Sequence, residues 1–84
     1  MATEGTTNIT LSRPLEIDGA KVATLTMREP LVADKLTASK RKGSEEEQQV
    51  AMIADLCGVT PGDIERLPIR DYMKLVDALQ DFIS

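Results

Sequence analysis

Eighty-four residues make one domain at most, and a chain this short buries so little surface that its own core gives marginal stability, so partners or self-association are expected. The net charge of −4 opposes general affinity for nucleic acid or anionic membranes, and the absence of His removes the commonest general base and metal ligand. The single cysteine, Cys57, excludes a disulfide framework and a thiolate zinc cluster and fits a cytosolic protein.

Met1 to Thr7 is small and polar, without the basic start and apolar stretch of a signal peptide, and is expected to be disordered. From Asn8 the pattern turns to strand: Ile9, Leu11, Leu15 and Ile17 alternate with polar residues, and Pro14 suggests an edge position. Asp18-Gly19 marks the turn of a hairpin over residues 8–28. A two-residue turn sets Leu15 opposite Val22 and Leu11 opposite Thr26. A three-residue loop sets Leu15 opposite Ala23 and Leu11 opposite Met27, and it gathers Ala23, Leu25 and Met27 on one apolar face. The second register is the one favoured here, with Gly19 at positive φ in a bulge.

A helical part over residues 30–83 follows. Pro30 suits the first turn of a helix running to Lys40, whose narrow stripe of Leu31, Val32 and Leu36 is expected to pack on the hairpin. Lys40-Arg41-Lys42 favours the helix dipole and Gly43 is placed to cap that end. Glu45, Glu46 and Glu47 directly beyond oppose nucleic-acid binding through this cationic run. Ser44 to Glu47 forms a capping box for a second helix, with Val50, Ile53, Ala54 and Cys57 on its core stripe and Met52 and Leu56 beside it. Cys57 is read as an inert buried thiol. The longest apolar run, Val50 to Ala54, falls far short of the ~20 residues that span a bilayer.

Gly58 stops the second helix. Thr60, Pro61 and Asp63 start a third, stapled by Val59 and Ile64 and limited by Pro68 to about two turns. A final helix from Ile69 or Arg70 to Ile83 carries the longest stripe: Tyr72, Leu75, Val76, Leu79, Phe82 and Ile83. The fold class expected is α+β, a single domain over residues 8–84 with an N-terminal β-hairpin followed by a small bundle of three to four helices.

The Gly-Val-Thr corner has the layout of a helix-turn-helix, which keeps a small DNA-binding regulator as an alternative. Against it, the second helix of the pair is cut short by Pro68 and offers Gly62, Asp63 and Glu65 where phosphate and base contacts need Arg, Lys, Asn or Gln. Arg66 is its sole cation. Carboxylates are plentiful, yet none stands in a metal loop, a Gly-rich phosphate cradle or a nucleophile elbow, so no enzymatic activity, metal or cofactor is expected.

The D-G hairpin turn, the strand-to-helix junction L-T-M-R-E-P at Leu25 to Pro30, and A-D-L-C-G-V-T-P-G-D-I-E-R-L-P-I-R-D-Y at Ala54 to Tyr72 resemble the small tail assembly chaperones of contractile-tailed bacteriophages, the group that includes those of phages Mu and P2. The resemblance covers the chain from about Ile9 to Phe82. It implies a non-enzymatic factor of the host cytoplasm, absent from the mature virion, that binds the long helical tape measure protein, keeps it soluble and helps the tail tube protein assemble around it. It also implies a frameshifted longer form, with this chain as the short one. It carries over no residue role. On the apolar stripe alone, Val76, Leu79, Phe82 and Ile83 are the candidate contacts with a tape measure helix or with another copy in a homo-oligomer. The alternative for these four is that they fill the chain's own core. A structural tail component is a further alternative.

Overall fold

A computed structural model describes residues 5–84. It contains β1 (Thr6–Ile17), β2 (Ala20–Arg28), α1 (Val32–Lys40), α2 (Glu45–Cys57), α3 (Pro61–Glu65) and α4 (Ile69–Ile83). The architecture is the expected α+β one, an antiparallel two-stranded hairpin followed by four helices. The expected disorder of residues 1–7 falls partly outside the described residues. Within them, Thr6 and Thr7 belong to β1, opposite Arg28 and Met27.

The hairpin corrects the favoured register. Asp18 (φ 52) and Gly19 (φ 82) both lie at positive φ, the requirement of a two-residue type I′ turn whose twist matches that of the strands. Leu15 therefore faces Val22, and Ile17 faces Ala20. The ladder then shifts. Leu11, Ser12, Arg13 and Pro14 lie across from Ala23 alone, after which Thr10 faces Thr24 and Ile9 faces Leu25. Pro14 supplies no N–H to a ladder, and an irregularity is where a strand accommodates it. Because the shift is an odd number of residues, the core side of β2 passes from Val22 to Leu25 and Met27, and Ala23 is left exposed.

α4 lies along β1 and α2 along β2, with α3 tucked against α2. The core gathers Ile9, Leu11, Leu15, Leu25 and Met27 of the hairpin with Ile53, Ala54 and Leu56 of α2, Ile64 of α3, and Leu75 and Leu79 of α4.

The α2–α3–α4 corner follows its local chemistry. Ser44 Oγ accepts the Glu47 N–H (3.1 Å) while Glu47 Oε1 accepts the Ser44 N–H (2.8 Å). Thr60 and Asp63 repeat the box, Thr60 Oγ1 accepting at 3.1 Å and Asp63 Oδ2 at 3.0 Å. Gly58 ends α2 in the left-handed region (φ 71), with the Val59 N–H donating to Ala54 O at 2.9 Å. A Cβ at Gly58 would meet nothing within 4 Å, so Gly58→Ala carries a backbone penalty alone, about 1 kcal/mol. Urea unfolding should show that loss, with Gly58→Asn losing less. Cys57 is half-buried, and burial pushes its thiol up to about 11, which keeps it an unreactive thiol at neutral pH.

α1 departs from expectation. It begins at Val32 rather than Pro30, and its apolar stripe does not pack on the hairpin: Leu31 is 62%, Val32 76% and Leu36 55% exposed, and no residue of α1 is buried. The core side of the hairpin is already covered by α2 and α4. Polar contacts hold α1 at both ends instead. Arg28 grips Asp34 with both terminal nitrogens (2.8 Å each), and Asp34 accepts the Leu31 N–H at 2.8 Å. Leu31 has no side-chain oxygen, so only the Asp34 half of a capping box exists here. At the far end, Arg41 pairs with Asp55, and Gln48 Nε2 donates to Arg41 O at 2.7 Å. The helix closes on Arg41 in extended backbone, not on Gly43. Gly43 serves α2, since a Cβ there would come within 2.7 Å of Glu47 Oε1.

Candidate functional site

The four residues singled out on α4 divide in the structure. Leu79 is buried in the core; Val76 and Phe82 are half-buried against it; Ile83 is 60% exposed. Phe82 also borders a small recess with Thr7 and Ala78. Leu79 and Ile83 meet at a larger feature, a groove of about 620 Å³ running between α1, α2 and the end of α4. Its apolar lining comes from Pro30 and Leu31 just ahead of α1, Val32 and Ala38 of α1, Met52 of α2, and Leu79 and Ile83 of α4. The structure thus brings Leu79 and Ile83 together with Leu31 and Val32 of the stripe that the sequence assigned to the hairpin; Leu36 does not line the groove. It does not bring in Val76. Of the two apolar residues beside the main stripe of α2, Met52 and Leu56, only Met52 lines the groove.

A polar cluster missing from the sequence reading fixes α4. Asp71 is fully buried. Its Oδ1 accepts the Ser12 N–H and its Oδ2 accepts the Ser12 hydroxyl, both at 2.9 Å. Arg70 Nε donates to Ser12 Oγ (2.9 Å), and Lys74 Nζ donates to Thr10 O (2.9 Å) while standing 3.7 Å from Asp71. Burial of the Asp71 carboxyl opposes its ionisation, but the Ser12 hydrogen bonds and the charges of Lys74 and Arg70 outweigh that, and its pKa lies below the ordinary value. Arg66 closes the edge further along by donating to Glu16 O while pairing with Asp63 (2.9 Å). Of the β1 backbone groups these side chains satisfy, the Ser12 N–H lies where the ladder with β2 is broken, and the Thr10 and Glu16 carbonyls flank that stretch.

Three carboxylates therefore link stability to pH. Hydrogen bonds from Arg28, then from the Leu31 N–H, hold Asp34 down at about 2, against an ordinary 3.8. Asp63 is lowered by the Thr60 N–H first and also by Arg66, and Asp71 is lowered as described. Each folded-state pKa lies below its unfolded value, so the stabilisation is full above the unfolded value and disappears as pH falls through the folded ones. The melting temperature should hold between about pH 7 and 5 and fall steadily from about pH 4 toward 2. A melting temperature unchanged down to pH 2 would contradict these pairings.

Among the described residues no group of three His, Cys, Asp or Glu side chains could hold a metal ion, and no helix is long and apolar enough to cross a membrane. The helix-turn-helix layout resolves into a corner whose second member, α3, has five residues and carries at its third position a buried Asp63 bonded back to Thr60.

Residues 8–84 match the family described as "Phage tail assembly chaperone proteins, E, or 41 or 14". The chain belongs to the phage tail assembly chaperone family. No curated protein and no solved structure matches it. In this chaperone the motifs that carried the resemblance are structural devices. The R-E-P junction places Arg28 on Asp34 at the start of α1. The L-P-x-R-D-Y segment, Leu67 to Tyr72, starts α4 at Pro68 and sets Arg70 and Asp71 on Ser12. Neither motif lines the groove beyond Pro30. These motifs thus shape the scaffold, and the apolar groove lies on helix flanks they position.

Proposed function

We propose that this chaperone binds the tape measure protein, keeps it soluble before assembly, and helps the tail tube protein form around it, acting in the host cytoplasm and staying out of the finished particle. The family supplies the role in tail assembly. The observation that supports the finer reading is the apolar groove, in which Leu31, Val32 and Ile83 stay exposed on a small acidic protein. Large apolar side chains gathered at one groove with a polar rim are costly to leave in water and fit a contact site. A long apolar tape measure chain needs a partner that covers its helical faces until the tube does so.

Of the α4 residues, Ile83 serves as a direct contact at the rim and Leu79 as part of the floor. Phe82 and Val76 support the helix from the core side. Co-expression tests the proposal: with this chain present, the tape measure protein of the same phage should move from the pellet to the soluble fraction and co-purify with it. Tape measure protein that stays insoluble in the presence of folded chaperone would refute the proposal.

A further inference from the structure

The groove has properties that select the form of its occupant, and the inference rests on the reading of this groove as the chaperone's binding surface. Its walls are mostly the flanks of three helices, along which the backbone N–H and C=O groups away from the helix ends are hydrogen-bonded within each helix. An extended peptide laid there would find no row of backbone partners, only the free groups at the helix ends, and would leave most of its own groups unpaired. A helix brings its backbone bonds with it and needs only side-chain contacts. Two charges stand among the lining residues, Lys35 of α1 and Glu45 of α2. Neither makes an ion pair or a side-chain hydrogen bond among the described residues.

We propose that the groove between α1, α2 and the end of α4 takes an amphipathic helix of a partner protein, apolar on the face that enters, with a carboxylate beside Lys35 and a cation beside Glu45. A second copy of the chain fits less well. Its large exposed side chains outside the groove include Ile69 and Met73, which span one turn of α4. The cations flanking them, Arg70 and Lys74, are already engaged with Ser12 and Thr10, and that turn offers no free carboxylate to Lys35.

The test is an NMR titration of the full, isotope-labelled chain with a synthetic helical peptide of about 18 residues, or five turns. The peptide carries Leu at three- and four-residue spacing, Glu on one flank and Lys on the other; a control of the same composition carries a central Pro. The helical peptide should give saturable shifts at Val32, Lys35, Met52 and Ile83, and the Pro control none. Val32→Asp with Ile83→Asp, both at exposed positions, should weaken binding about tenfold or more. Lys35→Glu should weaken it about threefold, with recovery when the peptide's Glu is changed to Lys. Shifts centred on Ile69 and Met73, equal binding of the Pro control, or no saturable binding would overturn the proposal. So would a concentration-dependent dimer that the Val32→Asp, Ile83→Asp pair abolishes. Peptide binding without solubilisation of the tape measure protein counts against the proposed function and for the groove. Solubilisation without peptide binding counts against the groove alone.

Discussion

Asp71→Ala should destabilise the protein by about 3 kcal/mol, because it removes two charge-assisted hydrogen bonds and leaves the Ser12 N–H without its acceptor. For a domain of this size that is a large share of the total stability. The loss should show in urea unfolding as a lower midpoint with an unchanged slope. Asp71→Asn separates geometry from charge: its amide can still accept from the Ser12 N–H and donate to Ser12 Oγ, so about 1 kcal/mol should be lost, through the contributions of Lys74 and Arg70. A double-mutant cycle of Asp71→Ala with Ser12→Ala should give a coupling of about 1 kcal/mol. Ser12→Ala keeps the backbone N–H that Asp71 Oδ1 accepts, so the cycle reads the hydroxyl bond alone, and additive losses would mean that this second bond does not help to hold α4 to β1.

Val32→Asp combined with Ile83→Asp should return co-expressed tape measure protein to the pellet while leaving the chaperone's own unfolding curve unchanged. Both side chains are mostly in water, so the folded state loses little when they become charged, whereas a bound apolar helix would have to bury two carboxylates. Ile69→Asp with Met73→Asp is the matched control, since these residues are also exposed but lie outside the groove; solubilisation should persist in that pair. Phe82→Ser should behave differently from Ile83→Asp. Phe82 packs against the core, so its truncation should lower stability by about 2 kcal/mol and reduce chaperone function through unfolding. Solubilisation retained by the groove pair and lost by the control pair would relocate the contact surface to the start of α4.

Local chemistry was readable where one residue dictates the conformation of its neighbours. Ser44 with Glu47, Gly58, and Thr60 with Asp63 each form bonds within a few residues, and the α2–α3 corner follows from them alone. The hairpin turn was readable in kind, from Asp18-Gly19, but not in register. The pairing beyond Leu15 depends on how the strand accommodates Pro14, and that depends in turn on Asp71, 59 residues from Ser12, accepting the freed Ser12 N–H. Periodicity identified the stripe of Leu31, Val32 and Leu36 but not what faces it. Two helices, α2 and α4, occupy the core side of the two-stranded sheet, and the first helix is left to be held by Arg28–Asp34 and Arg41–Asp55. For the site, Ile83 stood out because it extends the α4 stripe to the chain's last turn. The groove did not, because its walls come from three helices that only the tertiary arrangement brings together. Asp71 carried a single local sign, a carboxylate in the first turn of a helix, and that sign is equally consistent with an exposed residue favouring the dipole.

The central claim, that the groove is where this chaperone holds the tape measure protein, is tested most directly by site-specific crosslinking in cells that express both proteins. A photoreactive amino acid at position 32 should capture the tape measure protein, and the same group at position 73 should not. Capture from position 73 with none from position 32, in a soluble complex of the two proteins, would contradict the account.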